Sequence, residues 1–146
     1  MSAPAARVVT PITPAQGQEI LAANFAPWVQ ALNLQVLACD ATSAQLRMPF
    51  DDKLVRVGGI LCGQALMSAA DTAMVIAISS ALGGFKLMAT VSQNVSFMRP
   101  VAKADVLITA RVLKPGKTLV FGEIEMRADG DERLALHATT TYALAG

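Results

Sequence analysis

Residues 60–85 read ILCGQALMSAADTAMVIAISSALGGF and form the longest apolar stretch of the chain. A helix drawn through them is apolar around most of its circumference, which is typical of a helix buried on all sides. Gly83 and Gly84 lie at the end of the stretch, and glycine commonly ends a helix. The stretch therefore predicts one long, buried helix from about Cys62 to Ala81.

This helix is long enough to be considered as a membrane span, but its composition argues against one. Polar residues interrupt the apolar run before it reaches the roughly 20 residues that a span needs, and Asp71 would cost about 2.5–3.5 kcal/mol on insertion scales. Residues 1–11, MSAPAARVVTP, lack the apolar core of a signal peptide. Cys39 and Cys62 lie far apart, which fits no disulfide framework and favours a reducing compartment. We therefore expect a cytoplasmic protein that does not bind a membrane.

Shorter elements are expected on both sides of the long helix. Thr13 before Pro14 is a typical helix start, and the pattern predicts a helix over 14–24. Pro27 either kinks this helix or begins a second short helix that ends near Leu32. Four apolar side chains of this region are expected to share one face: Ile20, Leu21, Phe25 and Trp28. Alternating polar and apolar residues predict β-strands over 34–40, 44–50, 86–98, 104–113, 118–127 and 132–143.

The order of these elements predicts an α+β fold, in which an antiparallel sheet wraps the long helix or a second subunit covers it. The length of 146 residues is that of one domain, and we expect residues 1–146 to form it, with 1–12 as a flexible or loosely packed N-terminal arm. Twelve basic and eleven acidic side chains give a net charge of +1. No basic excess is available for binding nucleic acid.

Three polar side chains stand out on the long helix. Gln64, Ser68 and Asp71 lie at positions i, i+4 and i+7, which places them on one stripe of an apolar surface. Asp71 is the only charged residue between Arg56 and Lys86. A carboxylate in an apolar cleft can act as a nucleophile or general base. The alternative is a structural aspartate that bonds a backbone amide or an arginine of a partner.

The start of the helix is a second candidate site. Gly59 to Gly63 leads into it, and the free N–H groups of a first turn can hold an oxyanion; a simple tight turn is the alternative. Cys62 could in principle act with His137, the only histidine, but an inert buried thiol is the preferred interpretation. One histidine and two distant cysteines cannot form a zinc site, so no metal is expected.

Two stretches together carry a family resemblance: residues 62–74, CGQALMSAADTAM, and residues 90–100, TVSQNVSFMRP. They resemble the hotdog-fold acyl-CoA thioesterases of the phenylacetate-degradation (PaaI-like) type. In that family His-Gly-Gly is followed by six residues and an Asp on the central helix, and then by a strand of the type Thr-Val, five residues, Phe-x-Arg-Pro. The resemblance implies a hotdog fold, with a curved antiparallel sheet of five to six strands around the helix. It also implies a homodimer or homotetramer with active sites between subunits.

The resemblance assigns roles to single residues. Asp71 would be the nucleophile or the base that activates water, and the Gly63 N–H would polarise the thioester carbonyl. Thr90 would come from the partner subunit and orient the attacking water. Arg56 stands where many relatives have an Asn or Gln facing the thioester.

The chain departs from the family pattern beside these residues. The family's histidine is Cys62 here and its second glycine is Gln64. Both stay among the candidate catalytic residues, because the Gln64 amide could supply a donor in place of the histidine. The departures also motivate an alternative, a non-catalytic acyl-CoA or small-ligand binding protein. A hotdog hydratase or dehydratase is a third hypothesis, against which the single His137, distant in sequence, argues.

The implied substrate is an acyl-CoA thioester, so coenzyme A is part of the substrate and no separate cofactor is expected. Three basic residues are candidates for its phosphates: Arg99, Lys114 and Lys117. Four apolar residues are candidates for the acyl pocket: Met48, Phe50, Leu54 and Phe97. The alternatives are solvated charge at strand ends for the first set and an ordinary core for the second.

Overall fold

The computed structural model describes residues 8–146, in which six β-strands form one antiparallel sheet around a long helix. The α+β architecture expected from the element order is confirmed. A short 3₁₀ turn, Asp52–Leu54, lies between the second strand and the long helix. In chain order the helices and strands are α1 (Pro14–Asn24), α2 (Pro27–Gln30), β1 (Gln35–Cys39), β2 (Ser43–Met48), α3 (Gly63–Leu82), β3 (Met88–Phe97), β4 (Val106–Pro115), β5 (Leu119–Ala128) and β6 (Leu136–Leu144).

The sheet has the strand order β1-β2-β4-β5-β6-β3, and every neighbouring pair is antiparallel. One face packs on α3, because alternate residues of each central strand are apolar and buried. On β4 these residues are the set that the alternation predicts: Val106, Ile108, Ala110 and Val112. β3 follows α3 directly in the chain yet lies at an edge of the sheet, so one side of its backbone is left unpaired.

Helix α3 forms the centre of the core. Residues 72–80 are all buried. In the most hydrophobic stretch of α3, 72% of the residues are buried, so the high hydropathy of the helix reflects packing in the core. Gly83 ends the helix with a φ of 79°, a left-handed conformation that glycine adopts without a steric penalty. Among residues 8–146, the first half of the helix has an open side along the stripe Gln64, Met67, Ser68 and Asp71, and Leu82 at its end is also exposed.

The N-terminal region is tied to the core by Ile12, two residues before α1. Residues 1–7 of the predicted arm lie outside the described residues, whereas Ile12 is buried. A capping box then starts α1: the Thr13 hydroxyl accepts from the Gln16 N–H, and the Gln16 side chain accepts from the Thr13 N–H.

One prediction for this region is wrong. Ile20 and Leu21 are buried as expected, but Trp28 is 63% exposed. The backbone of Phe25 and Ala26 is extended between α1 and α2. This break ends the helical periodicity that would have placed Trp28 on the same face.

Strand β6 begins at Leu136, four residues later than its pattern predicts. The residues before it form a turn, in which the Asp131 N–H donates to the Ala128 carbonyl at 3.0 Å. Hydrogen bonds from the Arg133 guanidinium and backbone lower the pKa of Asp131 to about 2. Local side-chain bonding of this kind competes with strand pairing.

Candidate active site

A hydrogen-bonded cluster surrounds Asp71 on the open side of α3. The Thr90 hydroxyl donates to Asp71 Oδ1 at 2.7 Å. The Tyr142 hydroxyl donates to the same Oδ1 and also lies 2.6 Å from the Asp71 backbone carbonyl oxygen. Within residues 8–146 no hydrogen bond reaches the second carboxylate oxygen, Oδ2. Oδ1 is therefore held from two sides, and Oδ2 is left for other chemistry.

The sheet register brings these side chains together. Thr90 of β3 pairs with Tyr142 of β6, so both side chains point to the face of the sheet that packs on α3. Tyr142 is the last of a buried, inward-facing set on β6: Leu136, Ala138, Thr140 and Tyr142. The Asp71 cluster thus depends on three elements that are distant in sequence.

Burial keeps the Tyr142 hydroxyl protonated. Tyr142 is 1% exposed, and this burial, together with the neighbouring charge of Asp71, raises the pKa of its hydroxyl far above the ordinary value. Tyr142 is therefore a proton donor at any physiological pH. Among the described residues no lysine, arginine or histidine forms an ion pair with Asp71, so hydrogen bonds alone stabilise its charge here.

The start of α3 has the features of an anion site. Gly63 is the first residue of the helix, and its N-cap, Cys62, makes no side-chain bond to the first turn, so the N–H groups there stay available. A Cβ added to Gly63 would be 3.4 Å from Phe97 Cζ, an ordinary contact, and its backbone is not left-handed. Within residues 8–146, neither packing nor backbone geometry requires glycine at position 63. The missing side chain instead exposes the backbone to the neighbouring cleft, where a ligand can approach it.

A cleft of about 460 Å³ opens beside Gly63. The Arg56 guanidinium donates to the Val57 carbonyl at 2.6 Å, and that of Arg99 donates to the Leu134 carbonyl at 2.7 Å. Four of the residues singled out in the sequence line this cleft: Arg56, Gly63, Phe97 and Arg99. The full lining consists of Arg56, Ile60, Leu61, Gly63, Leu66, Phe97, Met98, Arg99, Pro100 and Val101.

Other predicted pocket residues lie elsewhere. Met48 is completely buried in the core, so its assignment to the acyl pocket is wrong. Phe50 and Leu54 pack partly buried against the core and do not line the cleft. Lys114 and Lys117 are exposed at the β4–β5 turn, at the opposite end of the sheet from Phe97.

The cysteine–histidine alternative does not fit the structure. His137 alternates with buried neighbours on β6, so it lies on the outer face of the sheet, where its Nε2 is 3.1 Å from Glu123 Oε2. Cys62 is half-buried at the start of α3, which packs on the other face. The same placement leaves no histidine beside Asp71 for a hydratase. Gln64 is exposed on the first turn of α3, within the open stripe.

Thr90 reaches Asp71 within one chain, which corrects the expectation that it comes from the partner subunit. The N–H of Gly63, by contrast, is far away: the two residues are eight positions apart on one helix. Eight residues correspond to about 12 Å along the axis and about 80° around it. β3 runs back along α3, with Phe97 beside Gly63, the Gln93 amide donating to the Met67 carbonyl at 3.1 Å, and Thr90 at Asp71.

Tyr142 is the site residue that sequence reasoning missed. It is the only tyrosine, and its alternation with apolar residues at the end of β6 indicates an inward side chain. A buried tyrosine hydroxyl needs a hydrogen-bond partner, and that signal could have drawn attention to it. Which partner it meets depends on the sheet order, which the sequence pattern does not contain.

Two further observations limit the chemistry. No group of three His, Cys, Asp or Glu side chains among residues 8–146 is arranged to hold a metal ion. A second cleft of about 390 Å³, between α1, α2 and the start of β1, has no ionisable side chain in its lining. This second cleft therefore offers no side chain that could act as a general base.

Comparison with known proteins agrees with this picture. The sequence pattern of the thioesterase superfamily matches residues 58–135. "Putative esterase TV1331" of Thermoplasma volcanium is 35% identical over 105 residues, which cover 66% of this chain and 71% of that protein.

Solved structures share the fold. Zebrafish thioesterase superfamily member 2 superposes with a TM-score of 0.81 at 24% identity, covering 92% of this chain and 99% of that one. The PaaI protein of the Escherichia coli phenylacetic acid degradation operon gives 0.76 at 19% identity, covering 92% and 97%. The hotdog fold and the PaaI-like resemblance are confirmed, and the chain belongs to the thioesterase superfamily of thioester hydrolases.

Proposed function

We propose that this thioesterase hydrolyses acyl-CoA at sites shared by two subunits, each built from Asp71 and Thr90 of one subunit and the Gly63 N–H of the other. The separation of Asp71 from Gly63 is the observation that carries the proposal. An attacking oxygen and an oxyanion donor for one carbonyl lie about 6 Å apart, or about 8 Å with a water between. The span of about 12 Å along α3 exceeds both, so a second copy has to supply one of the two groups.

The open side of the molecule supports such a dimer. β3 has an unpaired backbone edge, and the polar stripe of α3 lies beside it. Two copies that pair these edges about a two-fold axis have antiparallel β3 strands. The Thr90 end of one strand then lies beside the Phe97 end of the other. Asp71 of each subunit thereby approaches Gly63 of the partner subunit, in a homodimer or in a tetramer of two such dimers.

The proposed reaction uses Asp71 through Oδ2. As the water oxygen bonds to the thioester carbon, a water proton passes to Oδ2, and the carbonyl electrons move to the oxygen held by the Gly63 N–H. The tetrahedral intermediate then collapses, the C–S bond breaks, and the thiolate takes the proton from Oδ2. A carboxylic acid and a free thiol leave, and Asp71 is again a carboxylate. Direct attack by Oδ2, followed by hydrolysis of the anhydride, would use the same oxygen.

The cleft beside Gly63 suits the rest of an acyl-CoA. Its Phe97 and Leu66 side chains offer apolar contact, and Arg56 and Arg99 offer positive charge for phosphates. Lys114 and Lys117 lie at the Thr90 end of the sheet. In the proposed dimer that end adjoins the partner's cleft, which is where these lysines would meet phosphate.

Asp71→Asn tests the proposal, with hydrolysis of a panel of aliphatic and aromatic acyl-CoA thioesters followed by thiol release. We expect kcat/KM to fall by at least about 100-fold, because the amide cannot accept the proton from water. Asp52→Asn, at an exposed carboxylate of the 3₁₀ turn, is the matched control and should keep wild-type turnover. Equal turnover of Asp71→Asn and wild type would refute the mechanism.

A binding protein is the second candidate function, and the start of α3 favours it. Cys62 and Gln64 replace the histidine and second glycine of the family pattern, and Cys62 makes no side-chain bond to the helix start. A folded, dimeric protein that binds acyl-CoA tightly by calorimetry and releases no thiol would support this function over hydrolysis.

A further inference from the structure

The Tyr142 hydroxyl is placed between two acceptors of the same residue. It contacts Asp71 Oδ1, and it lies 2.6 Å from the Asp71 backbone carbonyl oxygen. A phenol has a single proton to donate, so the two acceptors compete for it. Tyr142 is also buried at 1% exposure, so no solvent competes for that proton.

We propose that Tyr142 is a positioning residue that holds Asp71 through Oδ1, so that Oδ2 is the reacting oxygen, and that its proton changes acceptor during turnover. This role rests on the proposed function. While Asp71 is a carboxylate, Oδ1 is the stronger acceptor. Once Oδ2 has taken the proton from water, the charge on Oδ1 falls, and the backbone carbonyl offers an alternative acceptor without movement of the ring.

Thr90 and Tyr142 divide the task. Thr90 donates to the same Oδ1 from the edge strand, where β3 is largely exposed. Tyr142 donates from inside the sheet and is fixed by the core around it. Two donors on one oxygen fix the orientation of the carboxylate plane.

Within residues 8–146 two side chains donate to the Asp71 carboxylate: Thr90 from β3 and Tyr142 from β6. One helical turn away on α3, the neighbours are Met67, Ser68, Met74 and Val75, and the Ser68 hydroxyl donates to the Gln64 carbonyl instead. A change at Tyr142 should therefore appear directly in kcat.

Tyr142→Phe tests the inference, with kcat and KM for one acyl-CoA measured at neutral pH. Loss of one donor should lower kcat about tenfold, with KM within about twofold, because the substrate still binds but Asp71 is no longer held in one orientation. Thr140→Val is the matched control. It removes a hydroxyl from the next inward position of β6, which is 4% exposed and has no partner in the described structure, and it should leave both constants unchanged.

A fluorotyrosine in place of the single tyrosine is the second measurement, and it keeps the shape of the core. It also keeps the phenol as a donor, so kcat should stay close to the wild-type value, in contrast to Tyr142→Phe. Wild-type kcat in Tyr142→Phe, with Asp71→Asn inactive, would overturn the role of Tyr142 and leave the proposed function intact. No turnover by wild type would remove the proposed function itself.

Discussion

At the scale of single residues, the main feature is a carboxylate whose two oxygens have different surroundings. Asp71 Oδ1 accepts from Thr90 and Tyr142, while Oδ2 has no partner within residues 8–146. The burial that makes Tyr142 a reliable donor also lowers the stability of the folded protein in alkali, because a charged tyrosinate is unfavourable in the core.

The pH dependence of stability should reveal this cost. In the unfolded chain the tyrosine loses its proton near pH 10, whereas burial raises the pKa of folded Tyr142 well above that value. Above about pH 10 the folded state therefore binds more protons, and the free energy of unfolding falls by up to about 1.4 kcal/mol per pH unit.

The measurement combines denaturant unfolding between pH 8 and 11 with ultraviolet absorbance of tyrosinate. Because the chain has one tyrosine, the absorbance reports Tyr142 alone, and we expect tyrosinate to appear only on unfolding. Tyr142→Phe should show a shallower loss of stability in alkali. A tyrosinate signal from the folded protein near pH 10 would contradict the burial of this hydroxyl.

At the scale of elements, α3 and β5 approach each other closely. Gly122 of β5 faces Met74, which is fully buried on α3. A Cβ at Gly122 would collide with the end of the Met74 side chain and would lie 2.8 Å from the Arg111 carbonyl oxygen. The end of the Met74 side chain can occupy this place only because position 122 has no side chain.

Gly122→Ala should therefore lower the free energy of unfolding by about 2 kcal/mol, since overpacking forces the helix or strand to move. Gly84→Ala is the control, because an added Cβ there meets nothing within 4 Å, and its effect should stay within about 0.5 kcal/mol. Chemical denaturation of both variants checks the prediction. Equal stability of Gly122→Ala and Gly84→Ala would contradict the predicted clash at position 122.

The same scale explains what the sequence could predict. The apolar run of α3 and the alternation of β4 are periodic local signals, so these elements and their buried faces could be predicted. The exposure of Trp28 depends on a chain break, and the meeting of Tyr142 with Asp71 depends on strand order. Those are long-range properties, and no local pattern in the sequence records that β3 lies beside β6.

The site residues also differ in how far the sequence alone could predict them. Asp71 and Gly63 stand out from residue type and position on a helix, and the family resemblance added Thr90. Its placement in the partner subunit was wrong, because the β3–β6 register puts Thr90 beside Asp71 of its own chain.

At the scale of the whole molecule, the proposal places half a site at each end of one stripe. Asp71 with Thr90 lies at one end, and Gly63 with its cleft lies at the other. Two-fold pairing through β3 would join complementary halves and close the exposed edge of the sheet. Activity should then belong to the dimer, with two equivalent sites.

A mixed dimer tests this most directly. Asp71→Asn removes the base, and Gly63→Pro removes the N–H while keeping the helix, because proline is well tolerated at a first helical position. Each variant alone should lose at least about 100-fold in kcat/KM.

Differently tagged copies are co-expressed, and the heterodimer is purified and assayed. In the shared-site arrangement it has one intact site, from Asp71 of one subunit and Gly63 of the other, so about half of wild-type activity should return. A heterodimer as inactive as its parents, or no heterodimer at all, would contradict the shared site.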